Sequence, residues 1–260
     1  MVHSWIPYRA ARSLLALAVL LAACGTALAQ TDEIQVYDAS IAPPGVFNLT
    51  LHNNYTPSGG TVPAFPGAIV PEHSLNGVPE WAYGVSEWME VGLYLPLYSV
   101  EGSGAVRVNG FKLRALFVRP HAADQPFFYG INFEFSYNAP HWDPHRYSSE
   151  IRPIVGWHFG RIDLILNPIL DNDYEGLGRL DFAPATRLAW HASRIWTLAA
   201  EEYDDFGSLD HFRGGGAQTH QLFAVLDYGG RVWVETGLGF GLTPATDHRI
   251  VKFMVAWDLN

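Results

Sequence analysis

Residues 127–138 change side-chain character at every step. Phe127, Tyr129, Ile131, Phe133, Phe135 and Tyr137 form one row; Phe128, Gly130, Asn132, Glu134, Ser136 and Asn138 form the other. Successive side chains of a β-strand point to opposite faces, so this stretch predicts a strand with one apolar and one mostly polar side. The pattern recurs. Phe111, Leu113, Ala115 and Phe117 oppose Lys112 and Arg114, and Ile151, Pro153, Val155 and Trp157 oppose Glu150, Arg152, Gly156 and His158. Leu180, Phe182, Leu188 and Trp190 oppose Asp181, Ala183, Ala185, Arg187 and His191, and Val251, Phe253, Val255 and Trp257 oppose Lys252, Met254, Ala256 and Asp258. The spacing predicts strands near 45–55, 80–86, 89–98, 106–119, 126–138, 147–159, 161–170, 179–191, 195–204, 217–228, 231–242 and 249–259.

Alternation alone also suits a soluble sandwich. Three features point instead to an all-β, antiparallel transmembrane β-barrel. Many segments run about 10–13 residues, the length of a tilted membrane strand and longer than the ~5–6 of a soluble one. The segments number about twelve, and bacterial single-chain barrels have even strand counts. Tight links (Glu87-Trp88, Gly160, Ala192 to Arg194, Gly229-Gly230) alternate with longer ones (Thr56 to Pro79, Ala139 to Arg146, Asp171 to Gly178, Asp205 to Gly216). Short turns at one end and long loops at the other are the habit of outer-membrane barrels. The links Pro120 to Gln125 and Thr243 to His248 blur the pattern.

Trp81, Trp88, Trp157, Trp190, Trp196, Trp233 and Trp257 fall near predicted strand ends, where an apolar ring with a hydrated N–H suits the headgroup region. Two features resist a tidy barrel. Pro96, Pro153, Pro168 and Pro184 lie inside predicted strands and each removes a ladder donor, so they mark bulges or shorter strands. The chain ends Trp257-Asp258-Leu259-Asn260, without the terminal aromatic residue of many such barrels.

The N-terminus reads as an export signal over 1–29. Arg9 and Arg12 precede an uncharged run from Ser13 to Ala23, about 11 residues, too short to cross a bilayer as a helix. Ala27-Leu28-Ala29 has the small-x-small cleavage pattern, which makes Gln30 the first mature residue. Leu21-Ala22-Ala23-Cys24-Gly25 offers the alternative of a lipidated Cys24. Cys24 is the only cysteine, so either route excludes an internal disulfide and a thiolate metal site. Residues 30–44 are expected to form an N-terminal periplasmic segment and 45–260 the barrel. The net charge of −10 argues against nucleic acid. The expected partners are outer-membrane lipids, the barrel-assembly machinery and a small-molecule solute; no cofactor is expected.

A charge facing lipid near the midplane costs about 2–4 kcal/mol for Arg or Lys. The polar rows must therefore face the lumen, with Lys112, Arg114, Glu134, Glu150, Arg152, Asp181, Arg187, Glu201 and Glu235 as candidates, joined by Asp163, Asp227 and Lys252. They can pair and close the interior or line a water-filled path, and alternation does not choose between these. Other motifs are weaker. His191-Ala192-Ser193 has the spacing of a Ser–His pair on one strand face but no third group to orient the imidazole. His141-Trp142-Asp143-Pro144-His145 and Asp171-Asn172-Asp173-Tyr174-Glu175 carry ligand-type side chains, yet read as polar loops; no metal is expected. Gly214-Gly215-Gly216 lacks the lysine and helix of a phosphate loop.

Several stretches resemble a known group: Glu33-Ile-Gln-Val-Tyr-Asp38, Asn109-Gly-Phe-Lys-Leu-Arg-Ala-Leu-Phe117, Phe128-Tyr-Gly-Ile-Asn-Phe-Glu-Phe-Ser-Tyr137, Glu150-Ile-Arg-Pro-Ile-Val-Gly156 and His220-Gln-Leu-Phe-Ala-Val-Leu-Asp227. They look like proteobacterial outer-membrane proteins similar to the phenol meta-degradation family of channels for aromatic hydrocarbons. The resemblance covers nearly the whole mature chain. It implies a barrel, a transport role for small molecules, hydrophobic ones included, and no catalytic residues. A structural or surface-interaction barrel with a filled lumen is the alternative. An acyl hydrolase built on His191 and Ser193 is the third.

Overall fold

The computed structural model describes residues 33–260. The export signal, its cleavage site and Cys24 lie outside the described residues. The strands are β1 (Phe47–Ser58), β2 (Leu75–Ser86), β3 (Met89–Tyr94), β4 (Tyr98–Val100), β5 (Val106–Val108), β6 (Phe111–Val118), β7 (Phe127–Tyr137) and β8 (Tyr147–Phe159). They continue as β9 (Ile162–Asn167), β10 (Leu170–Asn172), β11 (Asp181–Phe182), β12 (Ala185–His191), β13 (Trp196–Asp205), β14 (Thr219–Gly229), β15 (Trp233–Gly241) and β16 (Arg249–Asp258). All neighbours are antiparallel, and β1 pairs with both β2 and β16, so the sheet closes on itself. Closure removes every free edge, the condition for a sheet to sit in hydrocarbon.

Four pairs of strands are single staves broken by a kink: β3 with β4, β5 with β6, β9 with β10, and β11 with β12. Counted this way the barrel has twelve staves. Three of the kinks sit at the expected prolines, because Pro96, Pro168 and Pro184 each fall between two halves of a stave. Pro153 is tolerated differently. It pairs with Ile131 on one side, and on the other it faces the Pro168 kink, where no ladder donor is needed. The first loop is shorter than expected: residues 75–79 belong to β2, since their register with Asn53 to Tyr55 and Leu51 to His52 extends the ladder.

The apolar rows face outward. Leu113, Leu188, Leu198, Leu226, Leu238 and Phe253 are all exposed, Leu238 to 54%. Such rows around the whole girth suit lipid tails and not water. Trp88, Trp157, Trp190, Trp196, Trp233 and Trp257 gather at the short-turn end. Trp81 departs from the expected girdle: it stands mid-strand in β2, and its Nε1–H donates to the carbonyl of Leu95 at the Pro96 kink (3.1 Å).

Residues 33–44, the described part of the 30–44 segment, run inside the barrel. Glu33, Ile34, Val36, Tyr37, Ala39 and Ala42 are buried there. The segment descends toward the short-turn end and leaves past Gly84, whose missing side chain makes room: a Cβ there would lie 2.3 Å from the Ala42 carbonyl. The pair Gly45 N–H to Gly84 O (2.8 Å) and Gly84 N–H to Val46 O (3.0 Å) then leads into β1.

Candidate functional site

The lumen has three zones, and the inward rows of the staves build all of them. The waist is filled. On one wall Arg114 donates to Glu80 and to Glu90 (2.6 Å), and Glu80 meets His52 Nε2 at 3.0 Å. Nearby, Arg152 grips Glu150 through Nε (2.6 Å) and Nη2 (2.8 Å). On the opposite wall Arg187 holds Glu201, Asp227 and Glu235 (3.1 Å), while Lys252 holds Glu201 and Glu235 (2.5 Å). Arg152, Lys252 and Glu201 are each 1% exposed. Charges so buried cost several kcal/mol each unless paired, which is why every Arg and Lys here has a carboxylate.

The N-terminal segment ties these walls together. Lys252 donates to the Ile34 carbonyl (3.2 Å) and Arg152 to the Gln35 carbonyl (3.0 Å). The Tyr37 ring lies between the guanidinium groups of Arg152 (4.4 Å) and Arg114 (5.5 Å), a cation–π arrangement. Its hydroxyl bonds that of Tyr94 at 2.7 Å. The Asn167 amide takes the place of a strand neighbour: Oδ1 accepts from Tyr37 N–H (2.7 Å) and Nδ2 donates to the Tyr37 carbonyl (3.0 Å). Ala42 N–H donates to Glu90 Oε2 (2.5 Å). Side-chain bonds thus satisfy a backbone that has no sheet of its own. Ile34 packs on Phe223, Val225 and Ile250, and Val36 and Tyr37 on Leu116, Phe128 and Ile154.

Above the waist, toward the long loops, a cavity of about 230 Å³ opens with Ile34 at its base. Asp143, Asp171, Asp173, Asp181, Asp204 and Asp205 line it. Its Lys112 is bound to Glu134 (3.0 Å) and its Arg213 to Asp205 and Asp181 (3.6 Å). Trp142, Tyr203 and Phe223 add aromatic surface. Crowding of like charges shows in the loops. Burial, then the neighbouring Asp143, pushes the Asp173 carboxyl up to about 6. Burial also raises Asp143. Below the waist a second cavity, about 160 Å³, contains Asp38, Asp163, His191 and Arg194.

The expected inward residues therefore divide. Arg114, Glu150, Arg152, Arg187, Glu201 and Glu235 build the waist, whereas Lys112 and Glu134 stand at its upper edge in the vestibule wall. Asp181 lines the upper cavity from β11, beyond the Pro184 kink, and is partly buried. Sequence reasoning passed over His52, Glu80, Glu90, Asn167 and Tyr37. The first three sit on inward rows of β1, β2 and β3. Tyr37 lay in a segment expected outside the barrel wall, though its neighbours Ile34 and Val36 carry the period-two signal.

The weaker motifs resolve as well. Both His191 nitrogens are engaged, Nδ1 with Thr197 Oγ1 (2.9 Å) and Nε2 with Asp163 Oδ2 (2.6 Å). Ser193 Oγ instead accepts the N–H groups of Ile195 (3.3 Å) and Trp196 (3.1 Å) in a turn. His191 and Ser193 do not pair with each other. The two acidic loops, separate in sequence, meet: His145 Nδ1 lies 3.3 Å from Asp143 and 3.2 Å from Asp173, and Nε2 lies 3.5 Å from Glu175. That imidazole thus gathers carboxylates from both loops.

No protein-family model matches this chain, and no curated protein does. Solved structures share its fold. An outer-membrane channel from Pseudomonas putida F1 superposes with a TM-score of 0.58 at 12% identity, over 87% of this chain and all of that one. The KdgM porin superposes with a TM-score of 0.52 at 9% identity, over 82% of this chain and 99% of that one. At such identities the likeness is one of architecture: this chain has the fold of outer-membrane β-barrels.

Proposed function

We propose that the protein is a passive outer-membrane channel for small molecules, closed at its waist by its own N-terminal segment. One observation carries this reading. Water-accessible cavities lie at both ends of the lumen, and what separates them is the N-terminal segment together with the ion-paired side chains that hold it. A solute would enter among the outer loops, rest in the vestibule and pass when the segment shifts. The resemblance to the phenol meta-degradation family supports a transport role. Its hydrocarbon solutes fit this lumen less well, because a charge-lined wall favours a solute that can satisfy it. The proposed partners are lipids at the apolar wall, the barrel-assembly machinery and the solute.

The test is single-channel recording in planar bilayers together with solute uptake into liposomes. Discrete conductance steps are expected, and a silent bilayer with no uptake defeats the proposal. A filled barrel with a structural role is the competing reading, favoured by the ion-paired waist; it predicts that silence. Hydrolase chemistry has no support in the geometry at His191. Ser193→Ala is expected to leave membrane lipid composition unchanged on expression.

A further inference from the structure

The waist and the vestibule contain the same residue types but in different balance. In the waist the carboxylates surround Arg114, Arg152, Arg187 and Lys252. In the vestibule the Lys and Arg that line the cavity among the described residues are already committed, Lys112 to Glu134 and Arg213 to Asp205 and Asp181. Asp143 and Asp173 share one imidazole, His145, with Glu175. Asp204 has His220 (2.6 Å). Asp171 has no hydrogen-bond or ion-pair partner among the described residues. It faces the same cavity from β10, beside Glu150 in the ladder, and Glu150 is itself fully used by Arg152. A carboxyl without a partner in such a concave, desolvated site gains most from an arriving cation, because an opposite charge within a few ångströms favours its ionised form. The rest of the lining mixes Ser, Thr, Asn and Gln side chains with an apolar part, Trp142, Tyr203, Phe223, Ile34, Ile169 and Ile250.

Such a site rewards a ligand with two parts. A cationic head would find Asp171 and the rim aspartates, and an apolar body would cover the isoleucine and aromatic floor. An anion would meet repulsion, and both cations lining the cavity among the described residues are already paired. A bare hydrocarbon would leave Asp171 desolvated and unpaired. The cavity volume of about 230 Å³ suits a molecule of one ring or a short chain. We propose that the outer vestibule is a binding site for small organic cations, amines with an apolar body, and that Asp171 is their principal counter-charge. The inference deepens the channel reading and, for transport, rests on it.

Two measurements separate the two ideas. The first is equilibrium binding to the detergent-solubilised full chain, with 2-phenylethylammonium and phenylacetate as a size-matched pair. Saturable binding of the ammonium is expected, at least about tenfold tighter than the carboxylate and weakening as salt rises. Asp171→Asn, nearly isosteric, should weaken ammonium binding about tenfold, the loss of one charge-assisted contact. Heat-modifiable gel migration checks that this variant keeps its barrel. Equal binding of the two probes, or an Asp171→Asn variant that binds as before, overturns the proposal. The second measurement is the zero-current potential of the reconstituted protein across a potassium chloride gradient. Its sign should report cation preference, and a chloride preference overturns the proposal. Intact ammonium binding with no conductance sinks the channel and leaves the binding site standing.

Discussion

The lower and upper halves of this lumen are made from similar side chains and do different things. At the waist, Arg187 and Lys252 bring Glu201 and Glu235 into contact, and Arg152 does the same for Glu150. In the vestibule, Asp171 is left without such a partner and Asp173 is crowded by Asp143. Paired charge holds the N-terminal segment and closes the path; excess charge in a hydrated cavity is available to a visitor. Burial decides which outcome a given charge has, because an unpaired ion is tolerable at the mouth and costly at the centre.

If that contrast is real, variants in the two halves must behave differently. The largest effect belongs to Arg187→Ala, which strands Asp227 and leaves Glu201 and Glu235 to Lys252 alone. It should cost about 3–5 kcal/mol, read as a fall in the denaturant midpoint in lipid vesicles. An unchanged midpoint would mean that the waist pairs hold nothing. Next comes Tyr37→Ala. It removes the ring between Arg114 and Arg152 and should raise open-channel conductance or open probability several-fold in planar bilayers, while the barrel persists. Conductance no different from the parent protein would show that the segment does not limit passage.

A pH titration sharpens the vestibule side. The Asp173 carboxyl is raised to about 6, so it gains its proton as pH falls through that value. The groups facing it are Asp143, also raised, with His145 and Glu175. At pH 5 Asp173 is about nine-tenths protonated. Cation preference in zero-current measurements should therefore decline between pH 7 and pH 5, and a preference that grows on acidification would contradict the assignment. The smallest effect on stability is expected for Asp171→Asn: within about 0.5 kcal/mol, since it breaks no pairing. A large destabilisation would place Asp171 with the waist instead.

Much of the fold could be read before any coordinates. The inward and outward rows at Phe127 to Tyr137, Lys112 to Phe117 and Val251 to Trp257 follow from one rule, the period of two, and lipid enforces it by penalising every outward charge. The prolines at 96, 168 and 184 were legible as kinks because each must lose a ladder bond. The site was legible in part. Arg114, Arg152, Arg187 and Glu201 could be placed inside the barrel, but not assigned partners. Arg187 and Glu235 are 48 residues apart, and Arg114 and Glu80 are 34 apart. Nothing local in sequence links them.

The sequence by itself determined a closed antiparallel barrel, which face of each stave meets lipid, and which end carries the short turns. These are local matters of alternation, strand length and turn chemistry. Only the tertiary structure decided that residues 33–44 turn back into the lumen, that Asn167 receives Tyr37, and that Asp143 and Asp173 arrive from two loops at one imidazole. Those outcomes depend on curvature, which brings distant inward rows across a common space, and on the need to satisfy each buried charge once they are there.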